Sequence, residues 1–380
     1  MSHFVGIGLV LGFLLPHTST AFLLVNPLLC LFYLCFKQNH VFYSKNWLVL
    51  VPILFTLLIN LSQDVSTKPL MSFFAIFLYF ACFPMVRNVK VPNLYFYFIL
   101  GFIFLSQVAY AYNITILESF LSTYYPLSEE DLAGLNMQNA ITADTIMNFR
   151  LGGLYHNPNQ CARSITFLLA GFLVLSNENN ILKLLPFVII SYYAVLLTGS
   201  RTGVVVASLV IIAYFFMNKR ISVGWRYGAI LLGVFGAIYL IYAGNDTLRA
   251  FNVSDTGSSD AKLRTFLYYL SIENSVIRLL LGYLDESLYV SRAASYVMAG
   301  FDSDYGNIIF CYGFVGFFSI ILFFVTIYRK MDRIGRVFFV LLLWMITSTI
   351  VKSYRALFIF MLLLSCVYGQ HKKNSHIENI

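Results

Sequence analysis

Few residues of this chain carry charge. Charged side chains make up 11% of the 380 residues and hydrophobic ones 59%, against roughly 25% and 45–50% in soluble domains. The mean hydropathy is +0.77, so an ordinary soluble domain is excluded and an integral membrane protein is expected. The cations form no dense block, and the net charge of +8 therefore carries no nucleic-acid footprint. A Gly-Lys-Ser/Thr phosphate loop is missing, as is any His-Glu or paired-Asp pattern at metal-ligand spacing, and neither nucleotide, metal nor other cofactor is expected. The six cysteines suggest no disulfide. Cys30, Cys35, Cys82, Cys311 and Cys366 fall inside apolar segments and Cys161 starts one, where small apolar packing is their usual role. No Lys or Arg precedes the first apolar stretch, which reads as a span and not as a signal peptide ending near Ala21.

What is present is a succession of apolar segments. Lipid offers the backbone no hydrogen-bond partner, so a helical span needs about 17 to 25 mostly apolar residues. Twelve spans are expected, at roughly 3–15, 21–36, 47–61, 70–86, 92–112, 160–176, 181–198, 202–217, 227–243, 305–327, 335–351 and 355–369. The fold class is thus an all-α integral membrane protein of about twelve transmembrane helices with two long outer loops. The chain divides into five spans over 1–112, a loop over 113–159, four spans over 160–243, a second loop over 244–304, and three spans with a cytoplasmic tail over 305–380.

Charge orients these spans. With the amino terminus inside, fourteen cations and three carboxylates leave +11 on the inner side, while eleven cations and fourteen carboxylates leave −3 outside, together the stated +8. The positive-inside rule is obeyed. Eight of the eleven outer cations are arginine, among them Arg150, Arg163, Arg201, Arg264, Arg278 and Arg355, whereas eight of the fourteen inner ones are lysine. Topology alone does not require that outward excess. A guanidinium presents a planar fork of donors that fits phosphate oxygens, so the excess suggests an anionic ligand, with pairing to outer carboxylates as the plain alternative.

Three polar stretches converge on the outer face. Arg150 leads into "GGLYHNPN", whose glycines and Asn157-Pro158 permit a tight turn. "TGSRTG" sets Arg201 between the seventh and eighth spans. The third stretch combines Arg264 and Arg278, on a segment of helical apolar spacing that suits an amphipathic surface helix over 261–284, with "FDSDYGNIIFCYGFVGF" at the start of the tenth span. Guanidiniums beside Asp302 and Asp304 suggest phosphate binding next to a potential base. Two residues apart on a helix, those carboxylates point about 200° apart and do not make a pair. "DSD" also suits a helix cap or turn.

The order "RLGGLYHNPNQCA", "LTGSRTG", Arg264 followed by "LLLGY", and "DSDYGNIIFCYGFVG" resembles the O-antigen polymerase (Wzy-type) and O-antigen ligase superfamily over residues 150–316. The resemblance implies a bacterial inner-membrane enzyme that moves sugar chains carried on undecaprenyl pyrophosphate at the periplasmic face. In ligases a His-Asn pair stands about eleven residues before the glycine that corresponds to Gly313, a place held here by Asp302 and Ser303. Polymerases resemble Asp-Ser-x-Tyr there, as in Asp302 to Tyr305, so the polymerase branch is favoured. His17 and His156 are the outward histidines left for any histidine-based mechanism.

The expected site therefore comprises Asp302, Asp304 and His156 as catalytic candidates, Arg150, Arg201, Arg264 and Arg278 for pyrophosphate, and Asn157, Asn159 and Tyr305 for substrate. The expected partners are a lipid-linked oligosaccharide repeat unit, the growing polymer, membrane lipids, a chain-length regulator and a flippase. Two alternatives stay open, an O-antigen ligase and a flippase or transporter of twelve spans. The charge division leads to a test of topology. Cysteines introduced at Glu130 and Gly257 should react with an impermeant maleimide in outer-membrane-permeabilised cells, and labelling of both only after lysis would invert the arrangement.

Overall fold

A computed structural model describes residues 2–15, 28, 45–60, 67–86, 89–125, 151–155, 157–176, 181–219, 221–224, 226–228, 267, 269–270, 275–284, 304–346, 348, 350–351 and 353–377. Most of the expected spans at 21–36 and 227–243 and of the expected surface helix, together with Arg150, His156, Arg264 and Asp302, lie outside the described residues.

The described chain is helical, with no strand among the described residues. In order it forms α1 (Ser2–Leu14), α2 (Trp47–Asn60), α3 (Thr67–Ala81), α4 (Asn93–Ala111), α5 (Thr115–Tyr124), a 3-10 turn (Gly153–Tyr155), α6 (Pro158–Leu175), α7 (Ile181–Leu197), α8 (Arg201–Met217), α9 (Val276–Leu281), α10 (Asp304–Lys330), a 3-10 helix (Gly335–Ile346) and α11 (Tyr354–Ile377). Ten of the twelve expected spans coincide with one of these helices. Among the described residues α4 and α10 are long and apolar enough to cross a membrane, whereas other helices have shorter apolar stretches, such as Tyr354–Gly369 within α11. Two details differ from expectation. The first outer loop contains α5, and the eleventh span is a 3-10 helix where an α-helix was expected. Val337, Phe338, Phe339 and Val340 open that segment with β-branched and aromatic side chains, which lose rotamer freedom in an α-helix.

The faces of α2 show what surroundings the fold suits. Val49, Ile53, Thr56 and Asn60 are buried, while Val51, Leu54, Phe55 and Leu58 are exposed. A helix bathed in water would turn its polar residues outward. Exposed leucines and phenylalanines recur on α4, α7, α8 and α10, a surface compatible with a membrane and costly in water.

The chain forms two compact units. The first comprises Met1–Ser19, Val89–Ser254 and Asp332–Leu341. Here Phe172 stacks on Phe187 with ring centroids 3.9 Å apart, and Phe96 and Tyr97 pack edge-on to Phe172 at 5.8 and 5.6 Å, so one aromatic cluster joins α4, α6 and α7. The buried Gln107 of α4 donates to the carbonyls of Leu151 at 3.2 Å and Ala194 at 3.0 Å. An amide there ties two chain segments that apolar packing alone would leave free to slide.

The second unit comprises Thr20–Asn88, Asp255–Met331 and Leu342–Ile380. Phe323 packs edge-on against Phe80 at 5.2 Å and Phe83 at 5.5 Å, joining α10 to α3 and the turn after it. The buried Asn46 donates to the Phe83 carbonyl at 2.8 Å. Within each unit, hydrogen bonds join segments distant in the chain. Tyr155 donates to the Phe13 carbonyl and Leu151 to that of Leu197 in the first, while Met85 donates to Ser365 in the second.

α10 is broken. Gly313 has φ 65° and ψ −178°, outside helical values, and separates residues 304–312 from residues 314–330, the latter about 25 Å long at 1.5 Å per residue. The break frees carbonyls of the first half, and the backbone N–H groups of Tyr283 and Leu284 donate to those of Phe310 and Cys311 at 2.8 and 2.9 Å. The backbone of Leu280 and Leu281 lies against the Gly313 Cα, where a Cβ would collide with it. Gly313→Ala should therefore cost well beyond the roughly 1–2 kcal/mol of left-handed strain alone. Gly101, in α4 with open space around it, is the control, and Gly101→Ala should stabilise by about 0.5–1 kcal/mol. Thermal unfolding of the detergent-purified variants checks both, and equal midpoints would refute the close approach at Gly313.

Candidate functional site

In the first unit, two expected polar stretches become two helix beginnings side by side. Asn157 caps α6: its side-chain oxygen accepts from the N–H groups of Asn159 at 2.9 Å and Gln160 at 3.4 Å, and Pro158 supplies the fixed φ of the first turn. "TGSRTG" resolves into a turn followed by a cap. Thr198 donates to the Val195 carbonyl at 2.6 Å and accepts from the Ser200 N–H at 3.2 Å, Gly199 takes φ 59°, and the Ser200 hydroxyl accepts from Gly203 N–H at 3.3 Å. Arg201 then opens α8 and is half-buried. A Cβ on Gly203 would lie 2.7 Å from the Ala162 Cβ, so the first turns of α6 and α8 touch. Asn157 and Asn159 thus stand at the same end as Arg201.

The electrostatics of that end are distinctive. A helix N-terminus carries about half a positive charge, which disfavours a cation and favours an anion. Arg201 opens α8, and Arg163, one turn inside α6, is buried. Positive side chains thus stand at two adjoining positive helix ends. In the sequence Arg163 reads only as one of the expected outward cations, because its burial depends on the neighbours of α6.

In the second unit, Arg278 lies in the last turn of α9. Its Nη1 donates to Asn60 Oδ1 at 2.6 Å and to the Gly282 carbonyl at 3.4 Å, and its guanidinium carbon stands 5.0 Å from the centroid of the Tyr283 ring. No carboxylate among the described residues takes part. Thr56 and Asn60, from the buried face of α2, were absent from the expected site because the first third of the sequence shows only apolarity. Their signal was two polar residues at i and i+4 inside an apolar span.

Asp304 and Tyr305 open α10 in the same unit. Asp304 is fully buried, and one carboxylate oxygen accepts from the backbone N–H groups of Ile350 and Val351, the latter at 2.9 Å. That geometry pins the start of α10 to the chain before α11. Tyr305 is half-buried, its ring 5.6 Å from that of Phe317. Among the described residues no three His, Cys, Asp or Glu side chains gather where a metal could be held.

Compared with known proteins, the chain matches no family model and no curated protein. Its fold and sites define an all-helical protein, compatible with a membrane, that bears guanidiniums at helix ends in both of its units. The Asp304 geometry generates a test. Asp304→Ala orphans two backbone N–H groups, at roughly 1–3 kcal/mol each, and should lower the unfolding midpoint and folded yield sharply. Asp304→Asn keeps an acceptor oxygen and should lose much less. Equal behaviour of the two variants in thermal unfolding would show that the oxygen is not needed there.

Proposed function

We propose that the chain is a surface-polysaccharide polymerase of the bacterial inner membrane. It transfers the growing glycan from undecaprenyl pyrophosphate to the non-reducing end of a lipid-linked repeat unit, at the periplasmic face. The observation that carries this reading is Arg278, a guanidinium held by an amide and a carbonyl and therefore left with its full positive charge to offer an anion. Arg201 at the positive end of α8 gives independent support. Arg150 and Arg264 join them on the sequence evidence.

The chemistry is a displacement at the anomeric carbon. The acceptor hydroxyl oxygen forms a bond to C1 of the donor glycan, the bond from C1 to the pyrophosphate oxygen breaks, and its electron pair leaves with the lipid pyrophosphate. Arginines lower the cost of that developing charge and hold the leaving group in line. The acceptor proton passes to a base, Asp302, which neighbouring guanidiniums keep ionised. His156 is the second candidate for this role. Asp304 serves the frame, its carboxylate already bonded to Ile350 and Val351. Asn157, Asn159 and Tyr305 contact the sugars.

The ligase alternative needs a histidine where Asp302 stands. A transporter would favour a broken helix open to solute. α10 is broken, but Tyr283 and Leu284 take up the freed carbonyls and the Leu280–Leu281 backbone fills the space beside Gly313, an arrangement that favours a static scaffold.

One reconstitution tests the reading. Purified enzyme given a synthetic lipid-linked repeat unit and no divalent metal should build a ladder of polymers. Asp302→Asn should lower the rate by about 10² to 10⁴, as loss of a general base does, yet leave the fold unchanged, since Asn and Asp cap helices equally well. Arg201→Lys, which trades the fork for a point charge, should also lose much of the ladder. A wild-type ladder from Asp302→Asn would remove Asp302 as base, and no ladder from wild type would remove the polymerase reading.

A further inference from the structure

No carboxylate among the described residues holds Arg278. Three neutral groups surround its guanidinium: the Asn60 side-chain oxygen at 2.6 Å, the Gly282 carbonyl at 3.4 Å and the face of the Tyr283 ring. Asn60 is fully buried at the last residue of α2. Its own amide nitrogen donates to the Thr56 carbonyl at 2.8 Å and the Gly282 carbonyl at 3.3 Å, which settles the orientation of the amide: nitrogen toward two carbonyls, oxygen toward the cation. Thr56, one turn earlier, donates to the Leu281 carbonyl at 2.7 Å. The polar edge of α2 thus grips the last residues of α9 at three points.

The ends of α2 and α9 both meet Arg278, and a helix C-terminus carries the negative end of its dipole. Two such ends stabilise a cation without cancelling its charge. An aspartate at position 60 would accept from Arg278 at least as strongly, because charge-assisted hydrogen bonds are the stronger kind. It would also neutralise the guanidinium. It would forfeit as well the two bonds that the Asn60 amide nitrogen donates to the Thr56 and Gly282 carbonyls, so the amide both holds α9 and leaves the charge of Arg278 uncancelled. The neutral partner makes sense where the positive charge is to be used on something else.

We propose that Asn60 is a positioning residue for lipid pyrophosphate recognition: it fixes the Arg278 guanidinium by a neutral hydrogen bond, so that the remaining donors and the whole charge face the ligand. This rests on the reading of Arg278 as a pyrophosphate ligand, and the test separates the two. Thr56 supports Asn60 by setting the height of the Leu281–Gly282 turn.

The measurement is the affinity of the full-length, detergent-purified protein for farnesyl pyrophosphate, a short lipid pyrophosphate, with unfolding midpoints recorded in parallel. Arg278→Gln should weaken binding tenfold or more. Asn60→Asp should weaken it comparably, and more than Asn60→Ser does; both variants lose the amide nitrogen that donates to Thr56 and Gly282, so the excess in Asn60→Asp reports the cancelled charge, which a purely structural contact cannot produce. Asn60→Ser, neutral but too short to reach the guanidinium, should weaken binding several-fold, and it decides the matter if Asn60→Asp does not fold. Wild-type affinity in folded Asn60→Asp, or in Asn60→Ser, overturns the role of Asn60 while a loss in Arg278→Gln leaves the pyrophosphate reading standing. Wild-type affinity in Arg278→Gln overturns that reading itself.

Discussion

A helix that breaks among apolar neighbours exposes backbone carbonyls that lipid and packed side chains cannot satisfy, each costing several kcal/mol if left alone. At Gly313 the chain meets this constraint with its own backbone: Tyr283 and Leu284 donate to Phe310 and Cys311. The rest of the second unit's polar architecture follows from that docking. To bring residues 283 and 284 to the break, α9 must end beside α10, and Leu280 and Leu281 come to rest on Gly313. Thr56 and Asn60 then find the carbonyls of Leu281 and Gly282 within reach. Arg278, one turn before that end, falls onto Asn60.

The same economy of polar groups marks the first unit. The side-chain oxygens of Asn157 and Ser200 are used on the first free N–H groups of α6 and α8, and Gln107 closes the carbonyls of Leu151 and Ala194. Buried polar side chains in this protein answer backbone demands first. Against that background Arg201 stands out, since the positive end of a helix disfavours a cation. Arg201 and Arg278 are set in opposite dipole surroundings. At Arg201 the helix end adds to the attraction for an anion; at Arg278 two helix ends hold the cation in place.

Apolar runs and sparse charge were enough to locate most helices, because a segment that must satisfy its own backbone in an apolar setting has few alternatives to a helix. The capping signals were also local. Asn157-Pro158 and Ser200 stop or start helices through bonds to residues two or three positions away, and such bonds are written in adjacent letters. The 3-10 path of Gly335–Ile346 and the break at Gly313 were less visible, since apolarity specifies burial and not the pitch or continuity of the helix that is buried.

The sequence by itself determined an apolar chain whose described residues are helical, and the uneven spread of lysine and arginine over its connecting segments, because composition and local spacing act within a few residues. Only the tertiary structure decided what those arginines and acids rest upon. Asn60 and Arg278 lie more than two hundred positions apart in the chain, as do Thr56 and Leu281, and Asp304 meets Ile350 and Val351 across a whole helix. Contacts of that separation depend on which helices pack together. The same Asn, Thr or Asp letters elsewhere in an apolar span would look identical, and it is the partner brought by packing that makes one a clamp, another a cap and a third an anchor for charge.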